Sequence, residues 1–161
     1  MPPHVATIVA KAFPCMKTVN KSVLIWYSPA EMFTLVTQVE QYPQFLPWCD
    51  HARLLESGAE GVVAEVGIAL SGLRQTFTTR NTHVQDRSVH MHLVRGPFSQ
   101  LEGEWRFLPV GQGTERACRV ELTLQYGFDS GALATLVGPI FDRIANSMVE
   151  AFVARAEQVY G

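Results

Sequence analysis

Between Val62 and Tyr126 the chain alternates apolar and polar residues in run after run, and the breaks between runs are only a few residues long. Successive side chains of a strand point to opposite faces, so each run reads as a strand with one buried and one wet face. Val62, Ala64, Val66, Ile68 and Leu70 share a face, and Leu73, Gln75, Phe77 and Thr79 oppose Arg74, Thr76, Thr78 and Arg80. Val89, Met91 and Leu93 oppose His90 and His92, while Leu101, Gly103, Trp105 and Phe107 oppose Glu102, Glu104 and Arg106. Val120, Leu122, Leu124 and Tyr126 oppose Glu121, Thr123 and Gln125. The breaks hold turn formers: Ser71-Gly72, Gln85-Asp86-Arg87, Gly96-Pro97 and Gly111-Gln112-Gly113. A parallel crossover needs a dozen or more residues, so these strands are expected to be antiparallel neighbours joined by hairpins.

Helical signals flank the strands. A strand over Thr18 to Tyr27 leads into Ser28-Pro29-Ala30-Glu31, where Ser28 caps, Pro29 sits in the first turn and Glu31 reaches back. Met32, Phe33, Val36 and Val39 give that short helix its buried stripe, Tyr42-Pro43 ends it, and an aromatic, proline-punctuated loop runs from Gln44 to Cys49. Near the end, Leu133, Leu136, Val137, Ile140, Phe141, Ile144, Met148, Phe152, Ala156 and Val159 recur at helical spacing. Gly138-Pro139 interrupts them, which predicts a short lead-in helix, a kink, and a long helix to Tyr160. The expected class is α+β: a curved antiparallel sheet of about six or seven strands wrapped on a long C-terminal helix. Side chains or a ligand must fill the space between them.

The 161 residues suit one domain, assigned to 16–161, with 1–15 read as an N-terminal extension or a mis-called start. Charged residues are 17% of the chain, below the usual ~25%, as befits a large hidden apolar volume. A net charge of −2 offers no basic excess for DNA. Cys15, Cys49 and Cys118 are too scattered for a disulfide framework or zinc knuckle and read as reduced thiols in a cytoplasmic setting. No apolar run approaches the ~20 residues of a membrane span.

Catalytic patterns are sparse. His90 and His92 project together but do not close a metal site without a third ligand, and Glu102 and Glu104 beside Arg106 read as a solvated, charge-balanced face. Cys49-Asp50-His51 are adjacent in sequence and rarely face one another, so no nucleophile is assigned. Neither a nucleophile elbow nor a phosphate loop occurs. The rings of Phe45, Leu46 and Trp48 lie between two prolines, either plugging the core or gating a lipid pocket that touches a bilayer. Phe77, Trp105, Phe141, Ile144 and Met148 are candidates to line a cavity, and Gln75, Thr79 and Gln125 to orient a polar head in it.

Several separated motifs resemble one family. Tyr42-Pro43-Gln44-Phe45-Leu46-Pro47-Trp48-Cys49, Phe77-Thr78-Thr79-Arg80, Gly96-Pro97-Phe98, Leu101-Glu102-Gly103-Glu104-Trp105-Arg106-Phe107, and Ile144-Ala145-Asn146 through Arg155-Ala156 are similar to the coenzyme-Q-binding START-like family. The likeness is to its bacterial ribosome-association-toxin branch, within the polyketide cyclase/START superfamily. It implies a helix-grip fold whose apolar cavity, with Phe98 in its wall, takes ubiquinone or another lipid without catalysis and so supports respiration. No cofactor is required, and transient contact with the inner membrane is implied. The alternative it implies is binding to the large ribosomal subunit, blocking subunit joining. Arg74, Arg80, Arg87 and Arg95, on adjacent expected hairpins, are the candidate patch for rRNA. A cyclase-like enzyme ranks third, since fold alone does not establish chemistry.

Overall fold

The structure is a computed structural model and describes residues 16–161. The extension read at 1–15, with Cys15, lies outside the described residues. Strand β1 (Lys17–Ile25) is followed by helix α1 (Pro29–Thr37) and a 3-10 turn (Val39–Gln44). Six strands come next: β2 (Cys49–Gly58), β3 (Gly61–Leu70), β4 (Leu73–Val84), β5 (Ser88–Arg95), β6 (Phe98–Pro109) and β7 (Cys118–Phe128). Helix α2 (Gly131–Tyr160) ends the chain. The sheet order is β1-β7-β6-β5-β4-β3-β2, antiparallel throughout. Each strand from β2 to β7 is therefore a hairpin neighbour of the next, as the short breaks require, and β1 docks on β7 with Val19 opposite Leu124. Helix α1 and the 3-10 turn carry the chain from one edge of the sheet to the other.

The entry to α1 forms as its sequence signals demand. Ser28 Oγ accepts from the Glu31 N–H at 3.1 Å, and Glu31 Oε1 accepts from the Ser28 N–H at 2.8 Å. Arg116 adds a two-pronged contact to the Glu31 carboxylate, at 2.9 and 2.8 Å, and holds its pKa down to about 2. Tyr160 closes the same corner by donating to the Glu31 carbonyl at 3.0 Å. The first and last helices are thereby fastened together.

Three expectations need correction. The first concerns placement: the sheet has the seven strands that the expected count allows, but one of them, β2, covers a stretch with no alternation. It is an edge strand, largely exposed, and register shifts between Cys49 and His51 and between Leu54 and Glu56 break its period of two. The second is that α2 runs as one helix through Pro139, without the anticipated lead-in segment. Gly138 precedes the proline and carries no Cβ to clash with its ring, which removes the usual obstacle to helical backbone there. The third concerns the stripe of α2: Val137, Phe141, Ile144, Phe152 and Ala156 are buried, but Leu136 and Val159 face outward.

The core lies between the concave sheet and α2. Towards α1 it contains Met32, Phe33, Val36, Phe107, Val120 and Phe152; towards the aromatic loop it contains Leu46, Ile68, Phe98, Tyr126, Val137 and Phe141. Rings meet mostly edge to face, as for Trp105 and Phe152 at 5.2 Å and Tyr126 and Phe141 at 4.7 Å, which suits their quadrupoles. Gly96, at a φ of +153°, is where β5 turns into β6. A Cβ there would lie 2.7 Å from that of Phe77 and 3.3 Å from its Cα, so glycine lets the turn pass close against the β4 backbone at Phe77. Tyr126 fixes α2 by donating to Asp142 Oδ1 at 2.5 Å, and burial with that carboxylate beside it raises its phenol pKa well above the usual value. Lys17 pairs with the same carboxylate from β1.

Candidate ligand cavity

Sheet and helix do not close completely on each other. They leave an internal cavity of about 80 Å³. Its sheet wall is built by inward residues of five strands, Ala64, Phe77, Met91, Trp105 and Leu122 among them. Its helix wall is Phe141, Ile144, Met148 and Phe152, one face of α2 at three- and four-residue spacing. Val39, Tyr42 and Trp48 cover it from the 3-10 turn and aromatic loop. Of the candidates for a cavity wall, Trp48, Phe77, Thr79, Trp105, Phe141, Ile144 and Met148 are brought together here.

Two polar side chains from β4 reach this apolar space. Thr79 Oγ1 donates to Asn81 Oδ1 at 2.7 Å, and both residues are buried cavity wall. Each accepts or donates for the other, so the pair is buried at little cost, and the Asn81 amide still has N–H donors to offer. Asn81 was not singled out from the sequence, although it shares strand parity with Phe77 and Thr79. That parity is the signal that could have found it.

Five candidates sit elsewhere. Gln125 is corrected outright: it has the parity of Thr123 and lies exposed on the outer face, paired with Glu102 of β6 and Thr18 of β1. Gln75, near the turn that starts β4, is half-buried and does not reach the cavity. Phe98 is core, with its ring 5.2 Å from Phe128 and 4.9 Å from Phe141. Leu46 is buried, and Phe45 packs on Tyr42 and Phe152 with the Arg155 guanidinium 4.9 Å above its ring. Trp48 is only 6% exposed, so the loop turns this ring inward and does not present it to a bilayer.

Among the described residues, no acid–base pair lines the cavity. Tyr42 donates its hydroxyl to the Val36 carbonyl, and burial lifts its pKa. Cys49 is also buried, its thiol pushed up to about 11 by desolvation, and it stays protonated and inert at neutral pH. His51 instead lies at the surface beside Asp50, with Nδ1 2.9 Å from Oδ1, and Glu65, with Nε2 3.4 Å from Oε2. The four arginines do not form one cluster. Arg80 and Arg95 are near neighbours across β4 and β5, where Arg95 faces Thr78 and Arg80 faces His92. Arg74 sits by the β3–β4 turn, paired with Asp50, and Arg87 lies in the β4–β5 turn, roughly 35 Å away along the strand.

Among the described residues, no helix is long and apolar enough to cross a membrane. The chain is 40% identical over 143 residues to the ribosome association toxin RatA of Pseudomonas aeruginosa, covering 89% of this chain and 97% of that protein. It is 25% identical over 143 residues to the mitochondrial coenzyme Q-binding protein COQ10 homolog B of Xenopus laevis, covering 88% of this chain and 59% of that one. Among solved structures, an 18 kDa protein of Caulobacter crescentus matches with a TM-score of 0.68 at 34% identity, over 92% of this chain and 99% of that one. The Zhui aromatase/cyclase of Streptomyces sp. R1128 matches at 0.77 and 16% identity, over 91% and 97%. The second of these shows the helix-grip fold alone. Residues 25–153 match the family described as polyketide cyclase / dehydrase and lipid transport, and with sheet, helix and intervening cavity all in place the chain belongs to that family.

Proposed function

We propose that this protein acts by binding, without catalysis, and that its target is the large ribosomal subunit. The observation that carries this reading is 40% identity along nearly the whole of both chains to a protein named as a ribosome association toxin. A binding role is supported by the cavity wall, where Thr79 and Asn81 are neither acid nor base and the Tyr42 hydroxyl is spent on the Val36 carbonyl. Cyclase-like chemistry needs a positioned proton donor and acceptor, and among the lining residues only Tyr42 ionises, with its hydroxyl turned to a backbone carbonyl. Such a protein works in the cytoplasm, and Arg80 with Arg95 is the part of the arginine set that can approach rRNA together. The test is light scattering during the joining of purified subunits. The proposal expects the protein to slow or block joining, and the Arg80→Glu, Arg95→Glu double variant to block it less. Joining at an unchanged rate with the protein in excess refutes the reading.

A second reading rests on the cavity itself. Thr79 and Asn81 supply one hydrogen-bonding point in an otherwise apolar space, the arrangement that orients a small polar head while the rest of the molecule is held by apolar contact. A ubiquinone or another lipid has that chemistry. At about 80 Å³ the cavity is well below the ~300 Å³ at which ligand pockets begin, so uptake requires the 3-10 turn and α2 to part from the sheet. Extraction of protein from a quinone-containing host tests it: a stoichiometric quinone supports the reading, and repeated extractions that yield no lipid refute it.

A further inference from the structure

The outer face of the sheet carries a cluster unrelated to the cavity. His90 and His92 are alternate residues of β5, so both project away from the core, and β6 places Glu104 opposite His90 and Glu102 opposite His92. The two imidazoles are turned towards each other, with centroids 4.3 Å apart and planes near perpendicular. His92 Nδ1 lies 2.7 Å from Glu102 Oε1. One donor atom from each of His90, His92 and Glu102 falls within 4.8 Å of the others. The geometry points to a divalent transition-metal site, with zinc the metal whose chemistry it fits best.

Two imidazoles and a carboxylate are a ligand set zinc takes readily, with a fourth position left for water or another oxygen. Four ligands around zinc sit about 3.4 Å apart at bond lengths near 2.1 Å. The donors therefore need to close by an ångström or so, a side-chain adjustment on a rigid strand pair. Glu104, Arg106, Thr123 and Gln125 wall the shallow hollow beside His90 and Glu102, and strand pairing sets Glu104 opposite His90. Charge favours the ion as well. Glu102 and Glu104 bring two negative charges; of the neighbouring cations, Arg106 on their strand is held by Glu121 at 2.5 Å, and Arg80 of β4, opposite His92, offsets only one of the two. The sequence exposes the two histidines but not the third ligand, because strand pairing alone brings Glu102 beside them.

The test is titration of the chelator-treated full chain with zinc alone, followed by calorimetry and by the ring proton resonances of its histidines. One zinc per chain is expected, shifting the His90 and His92 resonances and leaving His51 and His83 in place. His92→Ala and Glu102→Gln lie on an exposed face and should keep the fold, yet each should weaken zinc by at least about tenfold, since losing even an outer-shell partner costs that much. The His51→Ala variant should bind as the parent does. Zinc that fails to bind, or that binds equally to the His92→Ala variant and shifts other histidines, overturns the assignment.

Discussion

Filling the cavity should stabilise the protein and close its ligand site at once. Ala64 is 1% exposed, sits on β3 between Leu54 and Thr79, and lines the cavity. Unfilled volume in a core costs about 24 cal/mol per Å³. The cavity's 80 Å³ therefore represents about 2 kcal/mol of forgone stability. Ala64→Val adds two methyl groups with good strand propensity and fills roughly half of that space, a gain of about 1 kcal/mol. For a chain of this size that raises the melting temperature by about 2–4 °C. Urea and thermal melts measure the gain, and transfer of quinone from vesicles measures uptake, which should fall. A variant less stable by about 1–3 kcal/mol would mean that valine overpacks and that the space beside Ala64 is not free. A stabilised variant with undiminished uptake would place the ligand elsewhere.

Other consequences follow from the same contacts. Asn81→Leu strands the Thr79 hydroxyl in an apolar wall and should cost about 1–3 kcal/mol in urea melts. Adding Thr79→Val should recover part of that loss, and two costs that simply add would refute the pairing. Trp48→Ala should lose about 3–5 kcal/mol, as deletion of a buried ring does, and an unchanged melt would revive the idea of a mobile gate. Ser28→Ala removes the α1 cap and should cost about 1 kcal/mol. Because the Glu31 pKa is held from 4.5 down to about 2, chiefly by Arg116, its contribution is complete above pH 4.5 and fades as pH falls through about 2. Glu31→Gln should accordingly flatten the acid limb of the stability profile while leaving its neutral-to-alkaline shape alone.

The hairpin architecture is legible because period-two alternation and short turns leave an antiparallel sheet as the only arrangement that buries one face of every run. The capping box at Ser28 and Glu31 is legible for a similar reason, since its geometry is local. What fails to show is decided by the third dimension or by irregularity. β2 hides because its bulges at Asp50 and Leu55 scramble the alternation and its outer face has nothing to bury. The helix through Pro139 depends on a glycine relieving the proline's demand on its neighbour, a pairwise effect that simple breaker rules miss. At the cavity, apolar ring residues are found because large inward side chains must either fill or line the space. Asn81 escapes because a polar strand residue reads as outward until parity is followed along β4. Gln125 is misassigned for ignoring that same parity.

The proposed association with the large ribosomal subunit can be read by sedimenting the purified protein with isolated subunits at increasing salt. The protein should travel with the large subunit and not the small one at low salt. Release should follow as salt rises, because contacts to phosphate weaken steeply with ionic strength. Protein that stays at the top of the gradient with large subunits present, even at the lowest salt, contradicts the account.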